Sequence, residues 1–415
     1  MTLNKQIKLW SKAKKIIPSG NNFYSKNPSR VNIKGWPIYF EKAKGCKIWD
    51  LDGNYYYDFS FMGVGTNILG YSNNKINKKI IKSINQGNMS TLNAYEEVEF
   101  ANLILKPHPW AKMARFAKTG AEANSIAIRL SRAFNNKDKV IVCGYHGWHD
   151  WYLAANLSSK NKLDTHLFPN LKTKGVPKIL KKNTYTVKYN DLLSIKNIIK
   201  KENNISALIM EVERDKKPSK NYLFSIRKLC NKHKICLIFD ECTTGFRETF
   251  GGLHLKYKIN PDMAMFGKAI SNGYNLTAVI GKKKIMQSLD KTFISSTFFS
   301  ERTSYVAGKA TLKEMKRIKS WNIITTKGKK IKEGIKFLAD KRNLKIEFSG
   351  LDALIKFKFL NIDNEKAKKI ITKEMLKKQF LANDTIYVSI SHTDGLIKKY
   401  LSNLDKIFKK LSQHI

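Results

Sequence analysis

Two ionisable side chains of this sequence lie where buried strands are expected to end. The apolar run 235–239 leads directly into Asp240, and a second apolar run, 262–266, is followed shortly by Lys268. In open α/β sheets, ligands bind beyond the carboxyl ends of the strands, so this carboxylate and this amine would face one crevice. Such a pair could bind a cofactor and move a proton. A salt bridge, or a helix-capping Asp beside a surface Lys, is the structural alternative.

Two loops could add a phosphate site and an aromatic ring to this pair. The segment KTGAEAN, 118–124, precedes an apolar-periodic helix whose first N–H groups and dipole would hold a phosphate. The segment GYHGWHDW, 144–151, places Tyr145 after the next expected strand. An ordinary helix start and an ordinary strand–helix loop are the alternatives. The two histidines and the aspartate of 144–151 could also bind a metal ion, although no other cluster of metal-ligating residues accompanies them in the sequence.

An acid, an amine, an aromatic ring and a phosphate loop are the groups that pyridoxal 5′-phosphate requires. The amine of Lys268 would form a Schiff base with the aldehyde of this cofactor, and Asp240 would keep the ring nitrogen protonated. Lys268 would then be freed to move a proton. The hydroxyl-rich segment SSTFFSERTSYVAG, 295–308, adds a turn before a helix. The sequence therefore predicts a pyridoxal-phosphate site without a metal.

The pattern between about 90 and 300 predicts the scaffold that positions these residues. Short, continuous apolar runs at 139–145, 205–213 and 235–241 alternate with helical patterns. Strands of this kind, separated by helices, predict a mostly parallel sheet flanked by helices on both faces, which is an α/β fold. We therefore expect a large α/β domain at 61–300.

The two ends of the chain predict a smaller α+β domain. Residues 38–59 alternate in short runs around Asp52 and Gly53, which is a hairpin signal, and a helical pattern precedes them. From 301 onward the sequence mixes helical and strand patterns. We therefore assign 1–60 and 301–415 to one smaller domain made from both termini.

Composition indicates a folded chain with a strongly basic surface. The 415 residues include 77 Lys and Arg against 33 Asp and Glu, a formal net charge of +44, and 42% are hydrophobic. The lysines are dispersed and no nucleic-acid-binding motif is present, so we expect no specific nucleic-acid partner. A basic nucleic-acid-binding or structural protein on the same scaffold is the competing class.

Cysteine usage and hydropathy favour a cytoplasmic location. The five cysteines are odd in number and form no Cys-x-x-Cys pair, which favours reduced thiols. No apolar run approaches the roughly 18 residues of a membrane-spanning helix. We therefore expect a cytoplasmic protein with no membrane partner.

The motifs taken together resemble the class-III, fold-type-I pyridoxal-phosphate aminotransferases, in particular the branch containing glutamate-1-semialdehyde 2,1-aminomutase. The resemblance runs almost end to end. It depends on the order and spacing of the segments IPSG, FEKAKGCKIWDLDGNYYYDF, RFAKTGAEANSIAIRLSRAF, GYHGWHDW, LIFDECTTGFR, FGKAISNGY, SSTFF and SISHT.

The resemblance implies roles for five residues at the cofactor. Lys268 matches the lysine of the Schiff base, and Asp240 matches the acid on the pyridine nitrogen. Thr119, Gly120 and Ala121 match the phosphate loop, which is usually Ser-Gly-Thr in the family. Because alanine stands at the third position, one hydroxyl is absent and its backbone N–H must suffice.

The resemblance also implies a homodimer whose subunits share their active sites. Thr297 matches the threonine that reaches the phosphate of the neighbouring subunit's cofactor, and Glu301 and Arg302 replace the usual Asn-Pro of this interface turn. Tyr145 matches the aromatic residue that stacks on the cofactor ring, and Glu211 matches a glutamate near the substrate.

Three further positions depart from the family pattern or concern the substrate. Cys242 stands where valine packs under the ring, as an apolar spacer or as a redox-sensitive thiol. Arg214, in a segment that replaces the usual Pro-Val, could face an anionic substrate. The substrate signature of the aminomutase near the N-terminus is absent, and Arg30 is left there as an anion contact.

The resemblance implies amino transfer as the reaction. We expect an amino donor, such as glutamate, to leave its nitrogen on the cofactor as pyridoxamine 5′-phosphate, from which an aldehyde or ketone acceptor takes it. The intramolecular version, catalysed by glutamate-1-semialdehyde 2,1-aminomutase, is the first alternative. Decarboxylation or epimerisation on the same scaffold is a third possibility, since the substrate pocket decides which bond reacts.

Overall fold

The computed structural model describes residues 4–158 and 162–414 and divides into two compact units. The first unit runs up to Asn74 and resumes at Asn322, and the second covers Lys75–Trp321. The boundaries between these units lie later in the chain than the predicted domain boundaries at 60 and 300. The first three residues of the predicted segment 1–60 lie outside the described residues. The predicted division stays a prediction.

The strands of the described residues fall into three sheets. They are β1 Phe40–Lys44, β2 Lys47–Asp50, β3 Tyr55–Phe59, β4 Met113–Ala117, β5 Lys139–Cys143, β6 Thr184–Thr186, β7 Ile205–Glu211, β8 Cys236–Asp240, β9 Met263–Phe266, β10 Thr277–Gly281, β11 Ile346–Ser349, β12 Leu354–Phe359, β13 Phe380–Ala382 and β14 Thr385–Tyr387.

The α-helices of the described residues range from single turns to long helices. They are α1 Asn4–Ile16, α2 Pro28–Val31, α3 Met62–Gly65, α4 Asn74–Asn85, α5 Glu96–Leu105, α6 Gly120–Asn135, α7 Asp150–Leu153, α8 Ala155–Ser158, α9 Leu192–Lys201, α10 Tyr222–His233, α11 His254–Tyr257, α12 Lys283–Met286, α13 Arg302–Ile318, α14 Ser320–Asp340, α15 Asn364–Lys377 and α16 Asp394–Leu411. Short 3₁₀ helices are Pro18–Gly20, Tyr24–Lys26, Lys178–Leu180, Lys268–Ser271, Gln287–Lys291, Thr297–Ser300 and Ser412–His414.

The large unit is built on a seven-stranded sheet in the order β4-β10-β9-β8-β7-β5-β6. The strands β9, β8, β7, β5 and β6 run parallel, whereas β10 is antiparallel to both β9 and β4. Every residue of β7, β8, β9 and β10 is buried. Continuous apolar strands of this kind are covered on both faces, which confirms the predicted α/β sheet flanked by helices.

Helix α6 has a sequence-encoded start and end. Its N-cap, Thr119, accepts a hydrogen bond from the backbone N–H of Glu122, whose carboxylate accepts one from the N–H of Thr119, and this reciprocal pair is a capping box. Asn136 ends the helix in the left-handed conformation, at φ 52°. Because the buried face of α6 packs on the large sheet, the cap places residues 118–121 at one edge of that sheet.

The small unit joins the two ends of the chain in one sheet. Strands β1, β2 and β3 form an antiparallel meander, and β13 adds to β3 in parallel, with Phe380 opposite Tyr57. A second sheet has the order β11-β12-β14. A small α+β unit made from both termini is therefore confirmed.

None of the helices of the described residues combines the length and the apolarity that crossing a bilayer requires.

Candidate active site

Asp240 is the last residue of β8, and the structure places it at the carboxyl edge of the parallel strands. It is opposite Glu211 of β7 and Met265 of β9 in the strand register. The side chain is 4% exposed. One oxygen, Oδ2, accepts hydrogen bonds from Asn124 Nδ2 at 2.8 Å and from His146 Nδ1 at 2.9 Å. The other, Oδ1, accepts one from the backbone N–H of Cys242 at 3.0 Å.

These hydrogen bonds determine the charge of Asp240. Burial alone raises the pKa of a carboxyl group, because it disfavours the charged form. Here the hydrogen bonds from His146, Asn124 and the N–H of Cys242, with the attraction of His146, outweigh burial and hold the pKa of Asp240 below its ordinary value. Asp240 is therefore an ionised acceptor near neutral pH.

Two of the hydrogen-bond donors to Asp240, Asn124 and His146, were not predicted as its partners from the sequence. Asn124 lies four residues after Gly120 on α6 and is 2% exposed, so it is a polar residue on the apolar face of a helix. His146 lies beside the predicted aromatic Tyr145 and was considered only as a metal ligand. A polar side chain on a buried helical face is the signal that could have identified Asn124, since buried polar groups need partners.

Lys268 follows β9 after one glycine and lies in a strained backbone conformation. Its φ is 47°, a left-handed value that residues other than glycine adopt infrequently. Its amine, Nζ, donates a hydrogen bond to Thr243 Oγ1 at 2.8 Å. Thr243 is three residues beyond Asp240, so this bond holds the amine beside the loop that follows the acid. The sequence analysis did not identify Thr243.

Cys242 lies near both the acid and the amine. Burial raises the pKa of its thiol to about 11, with Lys268 opposing and Asp240 and Glu211 adding to the rise. All three charged groups are therefore within electrostatic range of one sulfur. A Cβ added to Gly267 would lie 2.9 Å from this sulfur, so the loop before Lys268 packs directly on it. A protonated, partly buried thiol matches the predicted apolar spacer more closely than a reactive thiolate.

The start of α6 presents backbone donors, but the hydroxyl of Thr119 is occupied. This hydroxyl takes part in the capping box with Glu122. The N–H groups of Gly120 and Ala121 lie in the first turn, where no preceding carbonyl of the helix can accept them. A Cβ on Gly147, whose φ is 110°, would lie 2.6 Å from the Cβ of Ala121. The loop after β5 therefore closes over this helix start.

Tyr145, Glu211 and Arg214 form one group beyond β5 and β7. The carboxylate of Glu211 accepts hydrogen bonds from Arg214 Nη1 at 2.8 Å and from the backbone N–H of Tyr145 at 3.4 Å. The ring of Tyr145 makes an edge contact with Phe168, with 5.1 Å between centroids. A cavity of about 250 Å³ borders Glu211 and Arg214. The guanidinium of Arg214 is thus paired with Glu211 and lies at a cavity.

Two further predicted residues have other contacts and surroundings. Thr297 begins an exposed 3₁₀ turn of the large unit. Arg30 belongs to the small unit, where its guanidinium lies over the ring of Tyr24, 4.5 Å from the centroid. The part of the chain that the structure describes contains no group of three or more His, Cys, Asp or Glu suited to a metal ion.

Comparisons with known proteins place this chain in a family. Residues 29–389 match the class-III aminotransferases. The chain is similar to the 3-aminobutyryl-CoA aminotransferase of Cloacimonas acidaminovorans, with 31% identity over 359 residues that cover 84% of this chain and 82% of the relative. It is also similar to the glutamate-1-semialdehyde 2,1-aminomutase of Methanothrix thermoacetophila, with 31% identity over 432 residues, 99% of this chain and 97% of the relative.

The fold is shared with solved structures. One of them, a transaminase with pyridoxal phosphate bound, superposes with a TM-score of 0.87 and covers 100% of this chain and 99% of that chain, at 21% identity. Fold and comparisons together define an α/β enzyme of the pyridoxal-phosphate fold type I. The chain belongs to the class-III aminotransferase family, which confirms the resemblance inferred from its motifs.

Proposed function

We propose that this enzyme transfers an amino group between an amino donor and an aldehyde or ketone acceptor, with pyridoxal 5′-phosphate as cofactor. The observation that carries the proposal is the cluster at the carboxyl edge of β8 and β9. There an ionised Asp240 accepts a hydrogen bond from the backbone N–H of Cys242, and the amine of Lys268 donates one to the next residue, Thr243. Acid and amine are the two groups that this cofactor requires of a protein.

The residues present fit this cofactor. Each carboxylate oxygen can accept two hydrogen bonds, and Oδ1 of Asp240 accepts one among the described residues, which leaves capacity for a protonated ring nitrogen. The N–H groups of Gly120 and Ala121 suit a phosphate, as does the positive end of the α6 dipole. A Cβ on Gly120 would lie 3.3 Å from the sulfur of Cys242. Glycine at this position therefore lets the start of α6 pack closely against Cys242, beside the proposed position of the cofactor ring.

Each protein group has a defined task in this proposal. When bound, the cofactor supplies an aldehyde that accepts amino groups and a ring that withdraws electrons from the reacting carbon. Asp240 holds the ring nitrogen by its negative charge, and His146 and Asn124 hold the carboxylate in place. Lys268 Nζ takes the proton from the substrate carbon and returns it, and Thr243 Oγ1 orients that amine between steps.

The substrate wall is proposed to involve Tyr145, Glu211 and Arg214. Tyr145 covers one face of the cofactor site, and the ion pair of Glu211 and Arg214 borders the adjoining cavity. An incoming carboxylate can exchange for Glu211 as the partner of Arg214, which would accommodate an acidic donor such as glutamate. The position of Arg30 in the sequence supports a second anion contact there.

Covalent attachment at Lys268 tests the cofactor assignment. Borohydride reduction of the purified enzyme should fix the cofactor to the peptide that contains Lys268, as an added mass in peptide mass spectrometry. Lys268→Ala should lose this label and its amino-transfer activity, whereas Lys79→Ala, an exposed lysine on α4, should retain both. A label on another lysine in the unmodified enzyme would refute the assignment.

Intermolecular transfer is favoured over the intramolecular aminomutase reaction because the family's aminomutase signature near the N-terminus is absent from the sequence. The aminomutase reaction stays the second candidate, since a relative of that name covers 99% of this chain. Incubation of the pyridoxal form with ¹⁵N-glutamate and a panel of aldehydes and ketones should yield 2-oxoglutarate and a labelled amine. Isomerisation of glutamate 1-semialdehyde without any donor consumed would assign the aminomutase instead.

We also propose a homodimer in which Thr297 reaches the partner's cofactor phosphate. The support is the surface near Thr297, where Phe293 is 80% exposed and Phe298 is 64% exposed. Exposed aromatic side chains at this density are typical of an interface core. Sedimentation velocity should give a dimer, and mixed dimers of Lys268→Ala and Thr297→Ala subunits should recover activity that neither parent has. Full activity of Thr297→Ala alone would oppose the shared site.

A further inference from the structure

A second concave surface lies at the opposite edge of the large sheet. It is a groove of about 610 Å³ at the amino ends of β8 and β9 and at the carboxyl end of the antiparallel β10. Its apolar lining includes Phe134, Ile235 and Ile285. Because β8 extends about 3.3 Å per residue from Cys236 to Asp240, the groove lies roughly 13 Å from the candidate active site.

This surface, here called the basic groove, is far more cationic than the chain as a whole. Six of the fourteen residues that line it are Lys or Arg, compared with 77 of 415 in the full sequence. Lys and Arg are therefore more frequent at this groove than in the chain as a whole. The six cations are Lys137, Arg227, Lys234, Lys282, Lys283 and Lys284.

The negative charge at the basic groove is already neutralised. Among the described residues that line the groove, the acidic one is Asp262. Its carboxylate accepts hydrogen bonds from Arg227 Nη1 at 2.8 Å and from Lys282 Nζ at 2.7 Å. The remaining four lysines form no ion pair with any acid of the described residues. Lys137 is anchored through its amine to the carbonyl of His233 at 3.2 Å. Four positive charges therefore line this groove without a counter-ion among the described residues.

The shape and the lining decide which anion fits. Phe134 is 44% exposed and presents a flat apolar surface beside the lysines. A volume of about 610 Å³ is typical of small-molecule sites, which span roughly 300–1,000 Å³. Lysine amines bind phosphate as point charges, and an aromatic ring stacks with a nucleobase. A ligand that combines a planar apolar part with phosphate groups meets both features.

We propose that the basic groove binds a nucleoside phosphate, with its base on Phe134 and its phosphates between Lys283, Lys284 and Lys137. The site is separate from the proposed phosphate loop at α6, which lies at the other edge of the sheet. In this proposal, part of the large positive charge of the enzyme serves to bind a specific ligand.

Calorimetric titration of the cofactor-loaded enzyme with ADP tests the proposal, since the loaded cofactor occupies the α6 phosphate site. We expect one ADP per chain. Lys283→Glu/Lys284→Glu should weaken ADP binding by about tenfold or more, because two phosphate contacts become repulsive. The matched control is Lys78→Glu/Lys79→Glu on α4, where two exposed lysines give the same change in net charge, and it should retain affinity within about twofold.

A second variant separates the base from the phosphates. Phe134→Ala should weaken ADP binding by about fivefold or more, because the base loses its stacking partner, and should leave the affinity for inorganic pyrophosphate unchanged. This side chain is half-exposed, so its removal should preserve the fold, and thermal unfolding checks this.

Three outcomes would overturn the proposal. The first is no ADP binding at millimolar concentration. The second is equal loss of affinity in the groove variant and in the α4 control, which would indicate general charge attraction. The third is preferential binding of a single-stranded oligonucleotide over ADP, with a steep dependence on salt that both double variants share, which would assign the charge to polyanion binding.

Discussion

At the residue scale, the charge of Asp240 depends on side chains from two other elements. His146 comes from the loop after β5 and Asn124 from α6, and both donate to the same oxygen. Burial of an acid without such donors would favour its neutral form, which cannot hold a protonated ring nitrogen. The acid is therefore functional only because three segments of the chain meet at it.

Removal of the imidazole from His146 should shift the titration of Asp240. In His146→Ala the pKa of Asp240 should rise, because a donor and an attraction that lower it are lost. Amino-transfer kcat/KM should fall by about tenfold or more, since a hydrogen bond to a charged group is worth about 1.5–3 kcal/mol. The acidic limb of the pH profile should move to higher pH, because the acid then stays protonated over a wider range.

The matched control for this variant is His149→Ala in the same loop. His149 contacts the hydroxyl of Ser125 instead of Asp240. Its replacement should leave the acidic limb where it is. An unchanged limb in His146→Ala, at reduced activity, would show that His146 acts only through packing.

At the element scale, the start of α13 ties two functional segments together. Glu301 caps this helix by accepting from the N–H of Thr303 at 3.0 Å, and its other oxygen accepts from Lys118 Nζ at 3.0 Å. Lys118 directly precedes the helix start of α6, and Glu301 directly follows the turn that contains Thr297. This ion pair therefore fixes the proposed phosphate loop relative to the proposed interface turn.

Loss of this carboxylate should cost more than loss of an ordinary cap. Glu301→Ala removes the cap, worth about 1 kcal/mol, and leaves the amine of Lys118, a side chain 11% exposed, without its counter-charge. We expect the free energy of unfolding to fall by roughly 3 kcal/mol, measured by urea denaturation of the large unit. Lys118→Met combined with Glu301→Ala should recover part of this loss.

Asp363→Ala provides the comparison for that experiment. Asp363 caps α15 through the N–H groups of Glu365 and Lys366 and is exposed, with no ion pair among the described residues. Its loss should cost about 1 kcal/mol. Equal costs for the two caps would mean that the Lys118 pair contributes nothing to stability.

Particular elements also show how far the sequence predicts this fold. The strands 205–213 and 235–241 were predicted because they are continuous apolar runs, and the structure contains them as β7 and β8. Strand β13, with three residues, was not predicted. Its identity depends on pairing with β3, more than 300 positions earlier, and no local pattern encodes that partner. Short strands of this kind are determined by tertiary contacts.

The candidate site was predictable to a similar depth. Asp240 and Lys268 follow apolar strands, so their meeting at one edge follows from the topology of parallel sheets. The hydrogen bond of Lys268 to Thr243 and the donation of Asn124 to Asp240 depend on side-chain conformations. Such contacts form between segments distant in sequence, and residue spacing alone does not specify them.

At the scale of the whole molecule, buried neutral histidines should make stability sensitive to acid. The imidazole of His108 donates to the carbonyl of Ile104 at 2.7 Å and accepts from the N–H of Gly252 at 2.9 Å. His392, in the small unit, donates to the carbonyl of Asp58 at 2.8 Å. Burial lowers the pKa of each from 6.5 to about 4.

The sign of this effect follows from proton uptake. Between pH 6.5 and about 4 the unfolded chain binds protons at these histidines and the folded chain does not, so stability falls as the pH falls. Each histidine should contribute a slope of up to about 1.4 kcal/mol per pH unit. Unfolding free energies measured from pH 6.5 to 5 should show it, and His392→Phe should reduce the slope of the small unit. A slope unchanged by that variant would contradict the assignment.

The parallel pairing of β3 with β13 has a consequence for biosynthesis. Because this sheet needs Phe380–Ala382 as well as Tyr55–Phe59, it cannot be completed until those later residues have been translated, whereas the contiguous segment 75–321 is available earlier. Domains tend to fold as units while the polypeptide emerges, and late, long-range pairing leaves apolar strands open in the meantime. The amino-terminal hairpin of this enzyme should therefore be the part that most depends on chaperones in the cell.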